Sequence, residues 1–416
     1  MKKLLFLTML GLVSAVPYAG GYRVSVQGNR ALAMGHTGVA IVNSAELGFH
    51  NPAGLVYLNS KFSLSAGVTP VFAQVAWQNS ATGEYAKTDN PMATPFYFNA
   101  AYKVKDWLSV GLSVYTPYGS TVEWPDDWAG SHLVNNIALQ AIYVQPLASV
   151  RISDKFSLGG GPILVLGSVN FNRNLNRTLT DIDGNRANAT IDASGATAWG
   201  WSLAAMYNVN EKLRLGLNYR AEVIMKAEDG TADFENVPNT PLAPFKDTTF
   251  DAELPMPAEL TVGLSYQLNE KWLFAFDYNR AFWEVYESLD LDFADPNIPD
   301  SKNPRNYKDA SIYRFGAEYK ATDRLDLRVG YYYDESPVQE GYFAPETPRN
   351  DSQGFTAGLS LDVTSRLALD ASFAYIRFAE VDASYDHYQE NGVNVPFSGT
   401  YKSTAFITGL GVTYKL

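Results

Sequence analysis

Few residues in this chain are of a type that could do covalent chemistry. There is no cysteine, and the four histidines are His36, His50, His132 and His387. None falls on an alternating segment beside a candidate serine, so a nucleophile would have no general base. Nor do they cluster with carboxylates at a spacing that would hold a metal. No catalytic residue, metal or cofactor is expected. What remains is binding chemistry. Arg314 could take a carboxylate through a charged hydrogen bond, and Ile163, Val165, Val169, Trp283, Ile312, Ile376 and Phe378 could bury an alkyl chain. Each methylene transferred from water would contribute about 0.8 kcal/mol, enough for a long tail to bind without any reactive group.

Positioning these residues requires strands. From Lys61 onward apolar residues recur at every second position, as in Leu213, Leu215, Leu217 and Tyr219, or Leu325, Leu327, Val329, Tyr331 and Tyr333. Period two places each set on one face of a strand. The other face carries residues such as Arg214, Gly216 and Asn218, or Arg314, Gly316 and Glu318. Fourteen such segments can be traced. Short turns at 103–106, 153–155, 208–211, 269–271, 321–323 and 364–366 alternate with connections expected to be long, at 71–93, 116–138, 172–196, 221–257, 288–309, 334–351 and 381–400. Strict sorting of short from long connections is the habit of outer-membrane barrels. Tyr102 and Trp107 flank one short turn and Tyr266 and Trp272 another, as expected of amphipathic rings at a headgroup layer. The expected fold is all-β, a 14-stranded antiparallel transmembrane β-barrel spanning residues 60–416.

Composition agrees. The 416 residues include 8 Trp, 26 Tyr and 22 Phe, with a formal net charge of -12. That charge argues against nucleic acid as a partner, since phosphates would be repelled. Met1-Lys2-Lys3, the apolar run Leu4 to Val13 and the small residues ending at Ala19 read as a secretory signal over residues 1–19; cleavage after Ala15 also fits. No run is long enough for a membrane-spanning helix, so insertion must use strands.

With strand direction fixed by the short turns, inward residues can be ranked by depth. The thirteenth strand runs Ala368, Asp370, Ser372, Ala374, Ile376, Phe378 toward the outside, and the ninth runs Asp277, Asn279, Ala281, Trp283, Val285. Both pass from polar to apolar. A water channel would stay polar throughout, so a greasy pocket above a polar layer is expected, with Arg314 just below it. The same position also suits an ion pair with lumen acids or with the amino-terminal segment. Loop residues Leu242, Phe245, Phe250, Leu289, Leu291, Phe293 and Ile298 could form an outer capture groove or pack on themselves. Arg280 and Arg377 share the lipid-facing parity near the outer rim, where they would meet lipopolysaccharide phosphates or snorkel to water.

Residues 20–59 break the alternation. Gly28, Gly35, Gly38, Gly48 and Gly54 are spread among small residues, and Asn51-Pro52-Ala53 follows Phe49-His50. This segment resembles the N-terminal hatch of the FadL family of outer-membrane hydrophobic-compound transporters. Tyr118-Gly119 with Trp128-Ala129-Gly130, Tyr307-Lys308-Asp309-Ala310 with Arg314, and Asp334-Glu335-Ser336-Pro337-Val338 extend the similarity along nearly the whole chain. Ending on Leu416 instead of Phe is a departure. The resemblance implies a barrel plugged by residues 20–59 in the outer membrane of a Gram-negative bacterium; the continuous hydrophobic belt suits a monomer. Its ligands would be long-chain fatty acids, or aromatic hydrocarbons and other small apolar compounds, moving passively. It also implies sideways exit to the bilayer at an inward kink of the third strand, which Pro117 and Gly119 would fit. The alternative is that these two residues begin the external loop after Tyr115.

Overall fold

The computed structural model describes residues 21–24, 26–238 and 245–416; the expected signal at 1–19, and Leu242, lie outside them. Fourteen strands form the wall: β1 (Phe62–Val68, continuing as Val71–Gln78), β2 (Phe96–Lys105, with Tyr85–Lys87 before it), β3 (Leu108–Glu123), β4 (Asn136–Arg151), β5 (Phe156–Asn174), β6 (Asn188–Asn208) and β7 (Leu213–Arg220 and Val223–Glu235). Then follow β8 (Thr248–Met256 and Glu259–Gln267), β9 (Trp272–Ala281), β10 (Ala310–Lys320), β11 (Leu325–Asp334), β12 (Ser352–Asp362), β13 (Leu367–Phe378, continuing as Val381–Tyr385) and β14 (Phe397–Lys415). Every neighbour is antiparallel, and β14 returns to β1, with Ser63 opposite Lys415 and Val68 opposite Leu410. The sheet is closed. Closure is what lets strands cross a bilayer without exposing an unpaired edge.

Phe274, Leu327 and Leu359 are all exposed on the outer surface. On the opposite parity Ser113, Gln145, Ser149, Asn218, Asp277 and Asp370 are buried. The alternation therefore faces lipid with apolar side chains and the lumen with small polar ones.

Six short turns match the expected ones, but several expected loops are strand. β1 continues over Val71–Gln78, β5 and β6 run past Asn172 and Ala196, and β7 and β8 fill most of 221–257. Beyond the bilayer the outer face of a strand meets water instead of lipid, so the apolar half of the period-two signal is lost although the ladder continues.

Residues 21–59 lie inside the barrel as two short helices, α1 (Asn29–Ala33) and α2 (Leu47–His50), and a 3-10 turn (Pro52–Tyr57). Missing side chains on the wall let the plug backbone approach closely. A methyl group on Gly330 of β11 would sit 2.0 Å from the Gly35 nitrogen, and one on Gly216 of β7 would sit 2.0 Å from the Val39 oxygen. Gly35 itself has φ of +67°, a conformation that costs glycine little. Asp277 accepts from the Gly38 and Val39 amides at 2.8 and 3.1 Å. Asn51 donates to Val39 and Ala205 oxygens at 2.6 and 3.0 Å, and its own oxygen accepts from the Ala53 amide. The Ala53 oxygen takes Ser149 and Ser157 hydroxyls. The Asn-Pro-Ala run is thus a bolt between plug and wall.

Asn29 sits at the closing seam. It donates to the Tyr97 hydroxyl at 3.0 Å and accepts from Ser372 at 2.6 Å. Methyl groups on Gly67 of β1 or on Gly409 and Gly411 of β14 would collide with it.

Candidate functional site

Three of the spaces inside the barrel border the sequence-derived residues. The uppermost is an apolar cavity of about 130 Å³. At about 30 Å³ per water-sized group in a packed liquid, this holds a short stretch of an alkyl chain. Its walls come from outer halves of strands and from loops: Leu139, Val169, Ile191, Met225, Phe250, Leu254, Leu289 and Leu291 among others. Three charged groups reach it, Arg173, Arg305 and Glu346. Arg305 is ion-paired with Glu346 and donates to the Tyr385 hydroxyl at 3.0 Å. Burial works against its charge, but the carboxylate beside it raises its pKa above the ordinary arginine value. Arg173, at the outer end of β5, is half-buried and donates to Ser301 at 3.2 Å. It has no carboxylate within 4.0 Å among the described residues, and burial lowers its pKa. Two guanidiniums against one carboxylate leave the cavity with one positive charge in excess.

Below lies a polar pocket of about 30 Å³, bordered by Arg23, His36, His50, Arg220, Glu259, Asp277 and Arg314. It holds the amino-terminal segment down. Arg23 donates to Asn279 at 2.7 Å and pairs with Asp334 at 3.1 Å and Glu259 at 3.4 Å. Tyr118 donates to Glu259 at 2.9 Å, and the Arg220 guanidinium lies 4.5 Å from the Phe49 ring centre. The third space, about 100 Å³, lies beside β1 and β3 and is bordered by Val24, Val71, Val75, Val122, Ile376 and Phe378.

The eight sequence-derived ligand residues are therefore spread over four places. Val169 lines the apolar cavity. Ile163, Val165 and Trp283 form a tight cluster with Tyr22, Tyr118 and Tyr143, packed with Met225 and Met256 of the cavity wall. Ile312, Ile376 and Phe378 belong to a separate cluster with Val26 and Leu32. Arg314 is buried in the polar pocket. Sequence depth alone placed them in one layer because it ignored what fills the bore. The loop residues Phe250, Leu289 and Leu291, expected in an outer groove, instead face the cavity; Phe245 packs on Phe234, and Phe293 joins the adjoining cluster. Arg173, Ile191, Met225 and Leu254 were missed, since they lie on strand extensions without alternation. No group of three or more His, Asp or Glu side chains suited to a metal occurs among the described residues.

The wall departs from a regular ladder at β3. Its pairing with β2 ends at Tyr97 opposite Tyr115, and its pairing with β4 skips from Tyr115 to Tyr118. Residues 115–118 are all buried, so the strand turns inward there instead of entering a loop at Tyr115. The plug's first residues take up the freed edge: Val24 N donates to Pro117 O at 2.8 Å and Gly119 N to Tyr22 O at 3.0 Å.

A closed fourteen-strand wall with a lipid-facing apolar belt, an internal stopper and a greasy cavity defines a plugged outer-membrane transport barrel. The chain belongs to the family described as outer membrane protein transport protein (OMPP1/FadL/TodX), whose profile matches residues 10–416. It is 21% identical to the long-chain fatty acid transport protein of Escherichia coli K12, covering 91% of this chain and 93% of that one. Among solved structures, a Pseudomonas aeruginosa FadL homologue superposes with a TM-score of 0.80 at 18% identity, over 95% of this chain and 100% of that one. The Pseudomonas putida toluene transporter TodX does so at 0.72 and 18% identity, over 96% and 99%.

Proposed function

We propose that this barrel takes up long-chain fatty acids, with the tail in the upper apolar cavity and the carboxylate at Arg173. The observation that carries the reading is the unbalanced guanidinium at the rim of an otherwise apolar space. A neutral aromatic hydrocarbon would gain only a cation–π contact from it, whereas a carboxylate would gain a charge-assisted hydrogen bond. The family relationship supports both ligand classes, since relatives are named for fatty acids and for toluene. Arg314 is better suited to holding the plug, because its pocket of about 30 Å³ has no room for an acyl chain. Movement is passive, and exit runs sideways at β3, where the inward turn at Pro117 frees the edge toward β2. The barrel works as a monomer in this reading. Of the two rim arginines, Arg280 pairs with Asp309 at 3.4 Å, so Arg377 is the better placed for lipopolysaccharide phosphates.

The test compares binding of a fatty acid and its methyl ester to the wild type and Arg173→Gln. The acid should lose roughly 1.5–3 kcal/mol in the variant, the range for hydrogen bonds to charged groups, while the ester should bind both alike. Equal affinities of acid and ester for the wild type would overturn the assignment.

A further inference from the structure

The wall has a second interruption, between β6 and β7. Their ladder runs upward from Asn208 opposite Arg214 to Ser202 opposite Arg220 and then stops. One more backbone bond, Ala221 N to Trp201 O at 2.9 Å, closes this lower part. Pairing resumes only at Asp192 opposite Thr231. Between these points residues 193–200 of β6 and 222–230 of β7 have no partner in each other. The cause is a bend that β7 and β8 make together. They stay paired to each other on both sides of it, with Arg220 opposite Glu259 below and Val223 opposite Met256 above. The chain leaves strand geometry at Ala221–Glu222 in one and Pro257–Ala258 in the other.

An open edge beside lipid is costly unless something covers it. Here two side chains do. Val223 lies against Gly200 of β6, where an added methyl would be 2.6 Å from its Cγ2; Met225 reaches across to Gly167 of β5, where an added methyl would be 2.5 Å from its Cε. Both are buried, and the facing positions on β6 are the small residues Ala196 and Ala198. Directly behind them is the apolar cavity, with Gly167, Ala193, Ala196, Met225 and Ala227 in its wall. Directly outside, Trp199 and Trp201 are 69% and 50% exposed, beside exposed Ile224. The side chains along the route from cavity to bilayer, Ala196, Ala198, Val223, Met225 and Trp199, are apolar, and it is blocked by one β-branched residue and one unbranched thioether with three rotatable bonds.

We propose that the β6–β7 seam is a second lateral portal, through which a single aliphatic chain passes between the apolar cavity and the outer leaflet, with Val223 and Met225 as its gate. The inference rests on the transport reading above. It assigns specificity as well: a slot lined by glycine and alanine and filled by two side chains admits an unbranched tail more readily than a fused ring.

The chain lacks cysteine, so engineered thiols have no background. The Gly200→Cys/Val223→Cys pair lies within disulfide reach and would staple the seam. With β3 as the exit and this seam as the entry, uptake of a radiolabelled long-chain fatty acid supplied in the outer leaflet should fall at least about tenfold on oxidation, the factor that roughly 1.4 kcal/mol of added barrier gives, and recover with reductant. Equal uptake by the oxidised and reduced forms would overturn the portal and leave the transport reading intact. A second measurement needs no uptake. Met225→Cys protein in lipid vesicles should react with a bilayer-partitioned alkyl maleimide, and the reaction should slow when Val223→Trp is added; an unreactive Met225→Cys overturns the portal. Failure of the reduced and wild-type proteins to take up any fatty acid, with Met225→Cys still labelled from the bilayer, would instead refute transport.

Discussion

The guanidinium of Arg23 joins the plug to three wall side chains, and its removal gives an exacting test of how the stopper is held. Arg23 is buried and engages Asn279, Asp334 and Glu259. In Arg23→Met, Asp334 is left with no cationic partner within 4.0 Å among the described residues. Glu259 keeps Arg220 at 3.8 Å and Tyr118 at 2.9 Å. Breaking a buried pair costs about 3–5 kcal/mol, and the surviving partners of Glu259 favour the lower end. At about 3 kcal/mol the opening equilibrium of the amino-terminal segment rises roughly 150-fold. Hydrogen exchange reads this directly, because the Val24 and Gly119 amides are the bonds that join this segment to β3. Adding Asp334→Asn should recover part of the loss, since the stranded charge is then gone. Unchanged exchange at Val24 and Gly119 in Arg23→Met would refute the idea that this ion cluster fastens the plug.

Other predictions follow from the same geometry. Gly330→Ala puts a methyl against plug backbone that cannot rotate away, so the melting temperature should drop by an amount matching roughly 1–3 kcal/mol; an unchanged melting point would mean the plug seat is loose. His132, in the external loops, packs 4.6 Å from Tyr388 and 5.6 Å from Phe397, and burial lowers its pKa from 6.5 to about 4. A lowered folded pKa makes the neutral form the stable one. The aromatic cap should therefore hold fully above about pH 6.5, weaken as pH falls to about 4, and change no further below that, by at most roughly 3 kcal/mol. Fluorescence of the stacked Trp124–Trp128 pair would follow this, and His132→Phe should flatten the slope.

The lipid-spanning part of this protein could be read from the sequence because one physical rule governs it. Where a strand separates hydrocarbon from a polar lumen, residues such as Leu215 and Leu217 must alternate with Gly216 and Asn218, and short turns must sit on one side. Outside the bilayer that rule lapses. Ile191, Met225 and Leu254 lie on paired strands where their sequence neighbours Asp192, Lys226 and Glu253 are polar, so nothing in their spacing revealed the cavity they line. The inward turn of β3 was legible as a possibility from Pro117, but Val24 pairing with it was not, since contacts between residues about ninety positions apart leave no local trace. Arg314 faces the lumen as its parity requires, but it sits in the polar pocket beside the plug residues Arg23, His36 and His50, a neighbourhood that parity and depth do not convey.

The place of Asn29 has a consequence for biogenesis. Its side chain is gripped by groups on both sides of the join between the first and last strands, and three glycines there leave no space for anything else. The stopper therefore has to be inside before the last strand is zipped to the first. Shutting the cylinder and locking its cork thus amount to one act, and a protomer that seals empty would be a dead end that cannot be corrected without unzipping.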